Sequence, residues 1–179
     1  YMEENPSGKL FLASHYDSFM KGPSSDQSAI IKQFYRKYNG RFLSMGAVMI
    51  TPEISLELSC RSRSLMFISI ALVVAEYARC NVGVPENGSV SLNYPLSSSR
   101  RASCSTRTTH PIFLKQLNNI ISSVGISATV SNRYEKQTKG EMVRACANKS
   151  YLCEIVASSN SCGKRSLHQS MHDNRTATH

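Results

Sequence analysis

The pattern of apolar and polar positions divides this chain into short strands and amphipathic helices. Residues 9–14 (KLFLAS) form an apolar run of strand length that opens into the polar His15-Tyr16-Asp17-Ser18. Gly22-Pro23 is a breaker. Ser24-Ser25-Asp26-Gln27 fits the S-x-x-Q capping box, so a helix is predicted to start there and run to about Tyr38. Ala29, Ile30, Phe34 and Tyr35 mark its apolar side, and Gly40 ends it. Residues 42–50 read as a second strand, stopped by Pro52. Residues 62–79 are apolar on nearly every face, the pattern of a helix packed between a sheet and another layer. Residues 82–84 are a third strand. Pro111 suits a helix start, and Ile112, Phe113, Leu117, Ile120, Ile121 and Val124 give a helical stripe closed by Gly125. Residues 126–130 are a fourth strand and residues 132–137 a loop. Thr138-Lys139-Gly140-Glu141 is a second capping box, leading a helix through Met142, Val143 and Cys146. Residues 151–156 are a short apolar segment, and from Ser158 onward the composition is that of a loop or tail.

Strands alternating with helices predict an α/β fold: a parallel sheet with helices on both faces. Ligands in such folds sit beyond the carboxyl ends of the strands. The polar segments at His15, Pro85 and Asn132 each follow a strand, so they are expected to gather at one edge. The richest of them spans residues 84–111, where Glu86, Asn87, Asn93, Arg107, Thr108, Thr109 and His110 crowd together. A long polar surface loop is the plainer reading of that stretch.

Composition changes this picture in two ways. The chain has 21 Lys and Arg against 12 Asp and Glu, a formal net charge of +9, which points to an anionic partner. Arg133, Lys136, Lys139, Arg144, Lys149, Lys164, Arg165 and Arg175 carry much of the excess. Arg61 and Arg63 open the apolar helix, where positive charge opposes the helix dipole and an anion would offset it. The six cysteines, Cys60, Cys80, Cys104, Cys146, Cys153 and Cys162, include no CxxC pair and read as reduced thiols of a cytoplasmic protein. The polar start gives no signal peptide, and the apolar run at residues 65–75 is too short to cross a bilayer, so no membrane partner is expected.

Three stretches together, Cys60-Arg61-Ser62-Arg63-Ser64, the PENG loop (Pro85 to Gly88) with STRTTHP (Ser105 to Pro111), and TKGEM (Thr138 to Met142), resemble the 7-cyano-7-deazaguanine synthase (QueC-like) branch of the PP-loop ATP pyrophosphatases. The likeness covers Leu10 to about Cys162. It implies an adenine-nucleotide α-hydrolase-like fold with a five-stranded parallel sheet, and activation by ATP of a deazapurine carboxylate such as 7-carboxy-7-deazaguanine. Relatives with the PENG form look like components of anti-phage defence operons, which implies attachment to a protein amine in place of ammonia. By the same resemblance the cofactors are ATP, Mg2+ and Zn2+. The partners are the deazapurine and a protein acceptor of the same operon, with nucleic acid not expected.

The resemblance assigns Arg107, Lys139 and His110 to catalysis. Glu86, Asn87, Asn93 and Thr108 fall to the substrate, Ala13, Ser14 and Arg63 to the nucleotide, and Cys162 to zinc. Two departures accompany it. The phosphate loop of form SGGxDS and the first strand are expected before Tyr1, and of the zinc cysteines only Cys162 is present, the rest being expected beyond His179. Residues 1–157 then make a partial α/β domain and residues 158–179 a polar tail toward the zinc segment, and these 179 residues alone are not expected to be active. The alternative is a non-catalytic basic module, or a partner subunit of a defence complex. No interleaving of aromatic and basic residues marks a stacking platform for nucleic acid.

Overall fold

Two pairs of parallel strands carry the fold. The computed structural model describes residues 1–17, 21–49, 63–92, 109–156 and 158–159. In chain order the elements are β1 (Leu10–Asp17), α1 (Lys21–Lys37), β2 (Phe42–Met49), α2 (Arg63–Ala78), β3 (Val82–Gly83), α3 (Gly88–Leu92), α4 (Pro111–Ser123), β4 (Val130–Ser131), α5 (Lys139–Arg144) and α6 (Lys149–Val156). The protein is thus mixed α/β, with β1 parallel to β2 and β3 parallel to β4. The chain divides into two compact units, Tyr1–Ser55 with Ala147–His179, and Leu56–Cys146.

In the first unit β1 and β2 run in register from Leu10 opposite Phe42 to Asp17 opposite Met49. The strand expected over residues 9–14 therefore continues three residues further, because each of those residues has a partner on β2. Helix α1 starts at Lys21, ahead of the expected cap at Ser24. Pro23 falls in the first turn, where its missing N–H leaves no hydrogen bond unmade. The Gln27 amide donates to the carbonyl of His15 on β1 (3.2 Å), and the Ser24 side chain of the expected capping box lies outside the described residues. Gly40 turns the chain into β2 at φ +75°. The core here is aromatic. Phe42, 2% exposed, meets Phe34 at 5.3 Å and Tyr35 at 5.0 Å between ring centres. Tyr151 brings α6 edge-on against Phe34 and Tyr38. Arg41 anchors the first residues of the chain by donating to the carbonyls of Met2 (2.9 Å), Asn5 (2.7 Å) and Gly8 (3.2 Å).

In the second unit Ile68, Leu72 and Ala75 of α2, Leu114 and Ile121 of α4, and Val82, Ala128 and Val130 form one core cluster. Helix α2 is not covered all round, as its composition suggested. Val73 is 73% and Tyr77 92% exposed, because the cluster engages one face only. On α4 the buried positions are Leu114 and Ile121, while Ile112, Ile120 and Val124 are exposed. Gly125, at φ +81°, ends that helix, as its place in the sequence predicts.

The fourth strand is shorter and later than the run of residues 126–130 suggested, and the cause lies in side chains far along the chain. The Glu76 carboxylate accepts the backbone N–H groups of Ser127 (2.9 Å) and Ala128 (3.2 Å), and Asn81 accepts that of Thr129 (3.0 Å). Those donors are taken before a ladder forms. Asn118 of α4 then closes the outer edge of β4, accepting from the Val130 N–H (2.8 Å) and donating to its carbonyl (2.9 Å). Among the described residues no helix is long and apolar enough to cross a membrane.

Candidate functional site

The loops that follow β3 and β4 are bonded to each other, which joins two of the three polar segments that the strand pattern was expected to gather. Val84 continues the ladder by donating to the Ser131 carbonyl (2.9 Å), and Pro85 then ends it. Asn87 caps α3: its Oδ1 accepts the Val90 N–H (3.2 Å) and its carbonyl accepts that of Ser91 (2.9 Å). Asn132, 7% exposed, crosses between the loops. Its amide donates to the Glu86 carbonyl (2.7 Å) and to Ser91 Oγ (2.8 Å), while its Oδ1 accepts the Tyr134 N–H (2.9 Å). Gly88 donates to the Gln137 carbonyl (2.7 Å). A Cβ at Gly88 would collide with the Glu135 carbonyl group, its carbon being 3.1 Å away. Glycine is required here by the closeness of the two backbones.

This clamp acts on backbone and leaves the Glu86 carboxylate half-buried and without a hydrogen bond or ion pair among the described residues. A carboxylate offers acceptor positions only, so a ligand suited to it presents N–H or O–H groups. Asn87 spends its oxygen on the cap, and no hydrogen bond from its NH2 group is made among the described residues. Gln137 adds an acceptor: its Oε1 is buried with no hydrogen-bond partner. The chain from Gln137 leads directly into the second capping box, which forms as read. Thr138 Oγ1 accepts the Glu141 N–H (3.3 Å), and Glu141 accepts the Thr138 N–H (2.7 Å). That backbone hydrogen bond, then the one from the Thr138 hydroxyl, holds the Glu141 carboxyl below the usual range. Lys139 is the first residue of α5 and is exposed, two residues past Gln137 in the bonded loop.

His110 is the N-cap of α4, its Nδ1 accepting the Ile112 N–H (3.2 Å). The neutral ring must then carry its proton on Nε2. Thr109 beside it is buried. Ala13 and Ser14 lie within β1, opposite Met45 and Gly46, in the other unit from Glu86. Arg63 is the first residue of α2. Asn93, Arg107, Thr108 and Cys162 lie outside the described residues, as do Arg61, Cys60 and Cys104. Cys80, Cys146 and Cys153 are not in disulfides. Among the described residues no group of three or more His, Cys, Asp or Glu is placed to hold a metal.

Sequence reading placed Asn132 among the polar segments at the strand ends without giving it a role, and overlooked Ser91 and Gln137. Asn132 carried a signal, an amide directly after an apolar strand, where such side chains bond local backbone. Ser91 carried none, since α3 itself was read as loop. No family model matches the chain, no curated protein matches it, and no solved structure matches it.

Proposed function

We propose that the protein activates a deazapurine carboxylate, such as 7-carboxy-7-deazaguanine, by ATP-dependent adenylation. The fold proposed with it is the five-stranded parallel sheet of the PP-loop ATP pyrophosphatases. The observation that carries the reading is the Glu86 carboxylate, unpartnered among the described residues, on a loop whose backbone is clamped by Asn132, Ser91 and Gln137. A deazaguanine edge presents several N–H donors, and a pre-positioned carboxylate accepts them in charge-assisted bonds worth about 1.5–3 kcal/mol each. Asn87 serves the same ring with its NH2 group. ATP supplies the adenylyl group, and Lys139, His110 and Arg107 are proposed to offset the charge that develops on phosphate and carboxylate. Ala13, Ser14 and Arg63 are assigned to the nucleotide, Asn93 and Thr108 to the substrate, and Cys162 to zinc.

The larger sheet draws support from strand edges. Asn118 occupies the outer edge of β4, whereas no strand pairs with the other edge of β3 among the described residues. Parallel sheets are rarely found as isolated pairs, since they are normally buried on both faces. A strand carrying the phosphate loop, expected before Tyr1, belongs to that proposal.

The test is substrate-dependent pyrophosphate release by the protein together with its flanking sequence. Glu86→Gln keeps the size of the side chain and turns one acceptor into a donor. It should raise the required concentration of carboxylate substrate about tenfold, near 1.4 kcal/mol. Unaltered kinetics in that variant would remove Glu86 from the site. Absence of pyrophosphate release in the parent protein, with retained binding of an anionic partner, would favour the non-catalytic module.

A further inference from the structure

A cleft of about 600 Å³ opens in the first unit between the last turns of α1 and the start of α6, lined by Gln33, Arg36, Lys37, Tyr151 and Glu154 among others. Its volume lies in the range of small-molecule sites. The charges on its wall are divided unequally. The Lys37 ammonium is already engaged, 3.4 Å from the Glu3 carboxylate and 3.8 Å from the centre of the Tyr151 ring. Arg36 and Glu154 have opposite charges and line the same cleft, yet neither is in an ion pair among the described residues. Opposite charges held apart across one cleft suit a ligand that carries both signs.

Two further residues of the wall have unmet hydrogen-bonding capacity. Gln33 Oε1 and the Tyr151 hydroxyl are buried with no partner, although the Gln33 amide donates to Ser158 Oγ (2.9 Å). Leaving such atoms unsatisfied is costly, so each points to a missing group. One is an acceptor and the other a donor, the pair that a peptide bond answers with its N–H and C=O.

We propose that this cleft binds a short zwitterionic peptide, of di- or tripeptide size. Its terminal carboxylate lies on the Arg36 guanidinium, which takes a carboxylate through two parallel hydrogen bonds. Its terminal ammonium lies on Glu154. Its backbone N–H and C=O meet Gln33 Oε1 and the Tyr151 hydroxyl. This site is independent of the adenylation reading.

The test is titration of the full chain with triglycine, followed by amide chemical shifts. Two controls each lack one charge: N-acetyl-triglycine has no ammonium, and triglycinamide no carboxylate. Triglycine should shift the amides of α1 and α6 in a saturable way. Each blocked peptide, and each of the exposed-site variants Arg36→Gln and Glu154→Gln, should bind about tenfold more weakly. No shift with triglycine would overturn the proposal. So would equal binding of the blocked peptides, or an affinity that neither variant changes.

Discussion

Arg79 occupies a position that favours glycine. It follows the last residue of α2 with φ at +51°, and Cys80 donates to the Ala75 carbonyl (2.9 Å) across it, the hydrogen bond of a left-handed helix ending. A side chain in that conformation costs roughly 1–2 kcal/mol. Arg79→Gly is therefore expected to stabilise the protein by about 1 kcal/mol, read from the midpoint of chemical denaturation. Gly88 is the converse case, a glycine required by the neighbouring backbone. Gly88→Ala should cost about 1–3 kcal/mol as the Glu135 carbonyl group is forced away. The same variant should weaken the substrate binding proposed for Glu86, since α3 and Glu86 share one clamped loop. Wild-type stability in Gly88→Ala would show that the two backbones are not in close contact. The Asn-Gly pair at residues 87–88 announces a turn in the sequence; the collision with a chain almost fifty residues away does not appear there.

Among the elements, α5 and β4 mark the limits of local reading. Thr138 and Glu141 are three residues apart, so their reciprocal hydrogen bonds depend only on the helix they start. Thr138→Ala is expected to cost about 0.5–2 kcal/mol and to increase amide exchange in α5 first. An unchanged exchange rate there would mean that the cap is not formed in solution. For β4 the apolar pattern over residues 126–130 was real, but Glu76, Asn81 and Asn118 decide which backbone groups remain for a ladder. Glu76→Ala should therefore loosen the segment at Ser127 and Ala128 and destabilise the second unit by about 1 kcal/mol, since the exposed Ser127 N–H is taken over by water and only the Ala128 N–H is left partly buried. Protection of those two amides unchanged in the variant would contradict this account. Helix α1 shows the same effect: it starts at Lys21, ahead of the predicted cap, and Gln27 is bonded to β1.

Across the whole molecule, charge couples stability to pH through the first unit. Glu3 accepts hydrogen bonds from the Tyr38 hydroxyl (2.9 Å) and the Asn148 amide (3.1 Å), with Lys37 at 3.4 Å. The Tyr38 bond, then the Asn148 bond, holds the Glu3 carboxyl below its ordinary value. A lowered carboxyl contributes stability above its unfolded value and loses it as pH falls through the folded one. Tyr38 is raised, chiefly by burial and next by the Glu3 bond. Its contribution is complete below the ordinary tyrosine value of about 10 and is lost as pH rises beyond it. Denaturation midpoints should thus fall at both acid and strongly alkaline pH, and Glu3→Gln should flatten the acid arm. An acid arm equally steep in that variant would place the titrating carboxylates elsewhere.

The sequence by itself determined the helices α1, α2, α4 and α5, the places of the four strands, the parallel pairing implied by their alternation, the capping box at Thr138 and the glycine ends at Gly40 and Gly125; it left α3 as loop and α6 as an apolar segment of no assigned type. Each of these rests on residues a few positions apart, where periodicity and backbone preference decide. Only the tertiary structure decided where β1, α1 and β4 begin or end, which faces of α2 and α4 are covered, and that Asn132 clamps the Glu86 loop. Those outcomes depend on hydrogen bonds and close approaches between residues tens of positions apart, such as Glu76 with Ser127 or Gly88 with Glu135. No local pattern encodes such a partner. A donor or acceptor looks the same in sequence whether water, a ladder or a distant carboxylate will meet it.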